Sequence, residues 1–191
     1  MIFRILDEKE LLEKIKKDPS EFSILFRDYY RVIFGYVFRR VTDFDTAKDI
    51  VSETFRKAFI HVRYFDYRGI SLKVWLYRIA TNEMHMYFRH ARRDKKYFQK
   101  LEFPAGPLFQ KYIEEDRMVL EQELERHEQF VRISNELRSL PVQYQQVLAL
   151  RYFEGKPNRE IAAILGKKEG TVKSLISRGL VLLREKCNGL I

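Results

Sequence analysis

NREIAAILGKKEGTVKSLISRGLVLLR, residues 158–184, decides how this chain is read. Ile161, Ala162, Ile164 and Leu165 fall on one side of a short amphipathic helix that stops at Gly166, and a second helix starts near Glu169 after a tight turn. Two helices joined in this way form a helix-turn-helix, whose second helix ordinarily enters the DNA major groove. Thr171, Lys173, Ser174, Ser177 and Arg178 are polar residues of that helix's first turns, suited to base edges and phosphates. Val172, Leu175, Ile176, Leu180 and Leu183 are expected on its buried side. A helical hairpin without a ligand has the same pattern, so the motif alone leaves that alternative open.

Charge supports a polyanionic partner. The chain has 191 residues, a net charge of +9 and 46% hydrophobic residues, enough for one medium domain or two small ones. Residues 56–100 carry 12 basic against 3 acidic side chains and residues 151–186 carry 9 against 4, whereas residues 112–138 carry 4 against 8. Residues 1–55 are nearly balanced, 10 against 11. Two basic blocks flanking an acidic spacer read as two separate modules facing nucleic acid, because a generic solvated surface would spread its charge.

No apolar run approaches membrane-spanning length, and the opening MIFRILDEKELLEKIKKD carries acids too early for a secretory signal. A cytoplasmic protein without membrane insertion is expected. The single cysteine, Cys187, excludes an intrachain disulfide and a cysteine zinc cluster.

Helical spacing runs through nearly the whole chain. The pattern predicts helices over residues 8–17, 20–40, 45–62 and 72–93, with a loop at 64–71. Leu76, Ile79, Ala80 and Trp75 belong to the inner face of the fourth. Two prolines and a glycine within residues 102–107 mark a linker, followed by a charged helix over 113–137 and then the final helices. The fold class is all-α, two small helical domains joined by a linker, the C-terminal one a helix-turn-helix DNA-binding domain.

Catalysis finds no support in the pattern. Asp43, Asp45, Asp49 and Glu53 could suggest a metal-dependent nuclease, but the last three are spaced by four and form one helix face. His61, His85, His90 and His127 include no pair at metal-binding i,i+4 spacing, and no phosphate-binding glycine loop is present. No catalytic residue, metal ligand or cofactor is therefore assigned.

Three further stretches carry a family resemblance. FRDYYRVIFGYVFRRVTDFDTAKDIVSETFRKAF (26–59), YFDYRGISLKVWLYRIATNEMHMYFRHARR (64–93) and LRSLPVQYQQVLALRYFEGKPNREIAAILG (137–166), followed by GTVKS (170–174), resemble in this order the extracytoplasmic-function group of bacterial RNA polymerase sigma factors. The helix-turn-helix alone would not separate this family from response-regulator output domains; DIVSETF and WLYRIATN in family order do. The resemblance implies a non-enzymatic initiation factor whose partners are core RNA polymerase, promoter DNA and, as is frequent in the family, an anti-sigma factor. Residues 1–96 would dock on polymerase and engage the minus-ten element, 97–132 would link, and 133–191 would read the minus-thirty-five element.

Residue roles follow from the matched positions. Asp45, Asp49, Ser52 and Glu53 match the segment that docks on the polymerase clamp helices, with Ser52 where a glutamine is usual. Arg78, Asn82, Arg89, Arg92 and Arg93 match minus-ten contacts, and the loop residues Tyr64, Phe65, Tyr67, Arg68 and Ser71 would help hold an unstacked base. Arg151, Thr171, Lys173, Ser174, Ser177 and Arg178 match the minus-thirty-five surface. Leu175 stands where an arginine is common and Gly179 where an alanine is usual. An autonomous helix-turn-helix regulator that does not bind polymerase is the alternative. Energetics favour a polymerase partner: separating five base-pair steps costs about 7 kcal/mol, whereas one aromatic pocket returns roughly 1–3 kcal/mol per captured base.

Overall fold

The computed structural model describes residues 7–41, 43–66, 70–91 and 128–187, all of whose regular elements are helical. Helix α1 (Glu8–Lys17) begins where the Asp7 carboxylate accepts from Lys9 N, and Asp18 ends it by accepting from Ser20 N in a short 3-10 turn. That turn replaces the first residues of the expected second helix, so α2 spans Phe22–Val41. Asp43 caps α3 (Phe44–His61), accepting from Thr46 N at 2.8 Å. The side chain of Thr46, and then its backbone N–H, hold the Asp43 carboxyl below the usual carboxylate range. One of the acids weighed as a nuclease ligand is thus a helix cap.

α2, α3 and α4 (Leu72–Ala91) pack around an aromatic core. Phe26 lies 5.2 Å from Tyr30 and 4.8 Å from Phe55, and all three are fully buried. Leu76 and Ala80 line this core as expected; Trp75 and Ile79 are only partly buried, and Tyr77 and Met84 complete the inner face. Lys57 and Glu83 pair at 2.7 Å between α3 and α4, the glutamate side chain only 4% exposed.

The second domain comprises α5 (Glu128–Ser139), α6 (Val142–Leu148), a π-turn over Ala149–Phe153, α7 (Asn158–Leu165) and α8 (Glu169–Cys187). Gly166 takes φ +62°, the left-handed conformation that lets the chain leave α7 and enter the turn before α8. At Gly179 a Cβ would come within 3.1 Å of Leu148 and 3.3 Å of Tyr144, so glycine lets α8 approach α6 closely.

The sequence did not announce that the two domains touch. α4 packs against α7, and α2 against α5. Residues 92–127, which include the expected linker break and most of the charged helix, lie outside the described residues.

Candidate nucleic-acid interface

α8 is amphipathic in the way a recognition helix requires. Val172, Leu175 and Gly179 are buried against the domain, while Thr171, Lys173, Ser174, Ser177 and Arg178 are all exposed. Thr171, Ser174 and Arg178 follow i, i+3, i+7 spacing and therefore share one side. The expected inner face needs one correction. Leu180 is 39% exposed, and Gly179 takes the inward position because its lack of a side chain admits α6. Leu175, at 8% exposure, packs inward, which explains a leucine where the family often has an arginine. Arg151 is exposed on the π-turn, and its guanidinium donates to Lys156 O at 3.2 Å, bracing the turn that precedes α7.

On the first domain, Arg78, Asn82, His85 and Arg89 follow i, i+4, i+7, i+11 spacing along α4, and all four are exposed. His85 was missed as a member of this face, although its spacing from Asn82 was available in the sequence. Arg92 and Arg93 lie outside the described residues, as do Tyr67 and Arg68 of the loop.

The remaining loop residues divide. Tyr64 is 75% exposed, whereas Phe65 is partly buried with its ring 4.9 Å from Trp75. Beside them opens a cleft of about 310 Å³, lined by Tyr64, Phe65, Ile70, Trp75 and Arg78 together with His61 and Asp66. The aromatic side chains can receive a flat base, in a cleft whose lining carries both the Arg78 guanidinium and the Asp66 carboxylate. Ser71 instead caps α4, its hydroxyl accepting from Val74 N at 3.2 Å. Glu8 supplies the second cap: one carboxylate oxygen accepts from Leu72 N and the other from the Tyr29 hydroxyl, each at 2.9 Å. Both caps fix the N-terminal end of the helix that carries Arg78 and Asn82.

The acidic face of α3 is uneven. Asp45 and Asp49 are exposed and Ser52 is partly so. Glu53 is held by two hydrogen bonds from Arg56, at 2.7 and 2.5 Å, and by Lys57 at 3.5 Å. Burial pushes its carboxyl upward, but the Arg56 bonds and charge together with Lys57 outweigh that and hold it below the usual range. Glu53 therefore remains charged yet partly neutralised, while the carboxylates of Asp45 and Asp49 are exposed on the same face. Among the described residues no three His, Cys, Asp or Glu side chains converge as a metal site would require. No described helix is long and apolar enough to cross a membrane.

Comparison with known proteins identifies two sigma-factor regions in the chain. Residues 25–94 match Sigma-70 region 2 and residues 130–183 match Sigma-70, region 4. The chain is 36% identical over 171 residues to RNA polymerase sigma factor YlaC of Bacillus subtilis strain 168, covering 88% of this chain and 93% of that protein. It is 30% identical to the ECF RNA polymerase sigma-E factor of Salmonella typhimurium strain 14028s, covering 97% of each. A similar fold occurs in the co-crystal structure of sigma factor RpoE with the anti-sigma factor NepR from Bartonella quintana, with a TM-score of 0.59, 20% identity and coverage of 86% of this chain and 95% of that one. With both sigma regions matched in order and full-length relatives aligned nearly end to end, the chain belongs to the extracytoplasmic-function group of bacterial RNA polymerase sigma factors: it is an alternative sigma factor that binds core RNA polymerase and directs promoter-specific transcription initiation.

Proposed function

We propose a division of promoter work between two helix faces and one cleft. The first domain, residues 1–96, docks on polymerase through Asp45 and Asp49, with Ser52 and Glu53 at the edge of the contact. Its α4 face, Arg78, Asn82 and Arg89, engages the minus-ten strand together with Arg92 and Arg93. Tyr64 and Phe65 offer a base platform that Tyr67 and Arg68 would complete, while Ser71 serves as the cap holding α4. The second domain, residues 133–191, reads the minus-thirty-five element through Thr171, Lys173, Ser174, Ser177 and Arg178, with Arg151 steadying the backbone. Residues 97–132 tether the two.

The observation that carries this reading is the sharp partition of α8, whose matched polar residues are all exposed while Val172, Leu175 and Gly179 are buried. The chain performs no chemistry of its own and acts in the cytoplasm, where polymerase supplies the catalytic site and the DNA channel. An anti-sigma factor is a further partner, by extension from the Bartonella quintana complex.

Run-off transcription with core polymerase on genomic fragments tests the assignment. Arg178→Ala should cost roughly 1–3 kcal/mol if it reads a base, with the loss confined to promoters that have an intact upstream element. Equal loss on templates lacking that element would count against the assignment.

A further inference from the structure

One carboxylate of the second domain bonds to two helices of the first. Glu154 follows the π-turn of the second domain, and its side chain is only 6% exposed. One oxygen accepts from Arg39 of α2 at 2.5 Å and the other from the Tyr77 hydroxyl of α4 at 2.6 Å. Lys156 lies over the Tyr77 ring at 4.9 Å, closing the site from the second domain's side. Burial, followed by the charge and hydrogen bond of Glu154, pushes the Tyr77 phenol up, so its hydroxyl stays protonated and remains a donor. Arg40, 3% exposed, reaches Gln145 at 3.4 Å, and His85 meets Gln146 at 3.1 Å.

The sequence makes room for this contact. Gly35 stands inside α2, where glycine costs about 1 kcal/mol relative to alanine. A Cβ there would come within 3.1 Å of the Arg39 guanidinium, so the missing side chain leaves Arg39 free to lie back along the helix toward Glu154.

We infer that Glu154, seated between Arg39 and Tyr77, latches the chain in a closed form that cannot read a whole promoter. The inference deepens the sigma-factor reading and rests on it for its consequence. The centres of minus-ten and minus-thirty-five elements lie about 25 base pairs apart, about 85 Å along B-form DNA. A compact chain of this length has a radius of gyration of about 16 Å. Domains in direct contact cannot sit on both elements at once, so promoter engagement must break the Glu154 contact. Polymerase, by separating the domains, releases the latch, and the closed chain away from polymerase is kept off promoters.

Cys187, the sole cysteine, and an introduced Asp28→Cys at an exposed position of α2 accept a fluorescent donor and acceptor for energy transfer on the full chain. Hydrogen bonds to a buried charge set the expected effect: Glu154→Ala and Tyr77→Phe lower the closed-to-open ratio on the order of tenfold to a hundredfold. Transfer falls and core-polymerase affinity rises, because the competent fraction grows. Glu10→Gln, which removes an exposed charge on α1, leaves both unchanged. Circular dichroism and thermal melting identify the folded variants. Unchanged transfer in folded Glu154→Ala and Tyr77→Phe overturns the latch, as does equal opening in Glu10→Gln. Opening without any gain in core affinity overturns its gating role. Failure of the unsubstituted chain to bind core at all would instead sink the sigma-factor reading, with the latch still measured by transfer.

Discussion

The first domain is held together by bulk and the second by proximity. Around Phe26 the rings of Tyr30, Phe55, Phe34, Phe38 and Phe44 form a continuous aromatic mass, and Phe22 adds an edge contact to Phe59 at 5.2 Å. The second domain relies on Leu137, Leu140, Val147, Leu148, Ile161, Ile164 and Val172, with Tyr144 and Phe153 only partly buried. Its cohesion depends on how near α8 can come to α6, which Gly179 determines. Large rings contribute area and about 0.5–1.5 kcal/mol per favourable pair beyond it. Among the described residues of the second domain no aromatic ring is fully buried. Under the proposed division of work, the domain that grips polymerase and DNA is the robust one, and the domain that docks a single helix in a groove is lightly built.

Removing bulk is the hardest blow to this contrast. Phe26→Ala should cost about 3–5 kcal/mol, lowering hydrogen-exchange protection across α2 to α4 more than across α6 to α8. Equal loss in both domains would mean that they unfold as one unit. Removing proximity is next: Gly179→Val places a branched side chain against Leu148 and should cost about 1–3 kcal/mol, read as weaker minus-thirty-five binding with the first domain's protection retained. A smaller effect sharpens the idea that a domain with a strong interior can spend its outer face on docking. Asp45→Lys with Asp49→Lys should change thermal stability by no more than about 0.5 kcal/mol yet weaken core assembly at least tenfold, about 1.4 kcal/mol. Retained core affinity in the folded double variant would remove α3 from the polymerase interface.

The smallest effect concerns the seam. Partial burial, then the positive charges of Arg40, Lys167 and Arg89, holds the His85 imidazole below its ordinary value of 6.5. In the closed form His85 therefore binds fewer protons than in a separated one, where Lys167 and Gln146 move away. The closed form keeps its full advantage above pH 6.5 and loses it progressively as pH falls below that value. Energy transfer across the seam should decline modestly with acidification, and His85→Gln should flatten the profile.

Local rules were readable in the sequence and meetings between distant residues were not. Helix periods, the Gly166 stop and the polar face of α8 depend on neighbours a turn apart, so the spacing of residues 158–184 contained them. The inward turn of Gly179 in place of Leu180 depends on where Leu148 of another helix lies, and no period within α8 encodes that. Glu53 looked like a free member of an acidic stripe, although Arg56 at i+3 was a visible clue that it would be paired. Glu154 is 115 residues from Arg39 and 77 from Tyr77, and only packing brings them together. Gly35, an unexplained glycine in a helical run, was the one local hint of that contact.

Glu8 has a bearing on where this protein can be cut. The region 2 match starts at residue 25, which invites a fragment beginning with α2 as the minimal promoter-melting unit. Such a fragment would lack the carboxylate that joins the Tyr29 hydroxyl to the first amide of α4. The amide of Leu72 would then turn to solvent beside the aromatic cleft, and the helix bearing Arg78 and Asn82 would fray from its leading end. The functional boundary of the domain thus lies upstream of its recognisable one, set by a single side chain that acts through the leading end of α4.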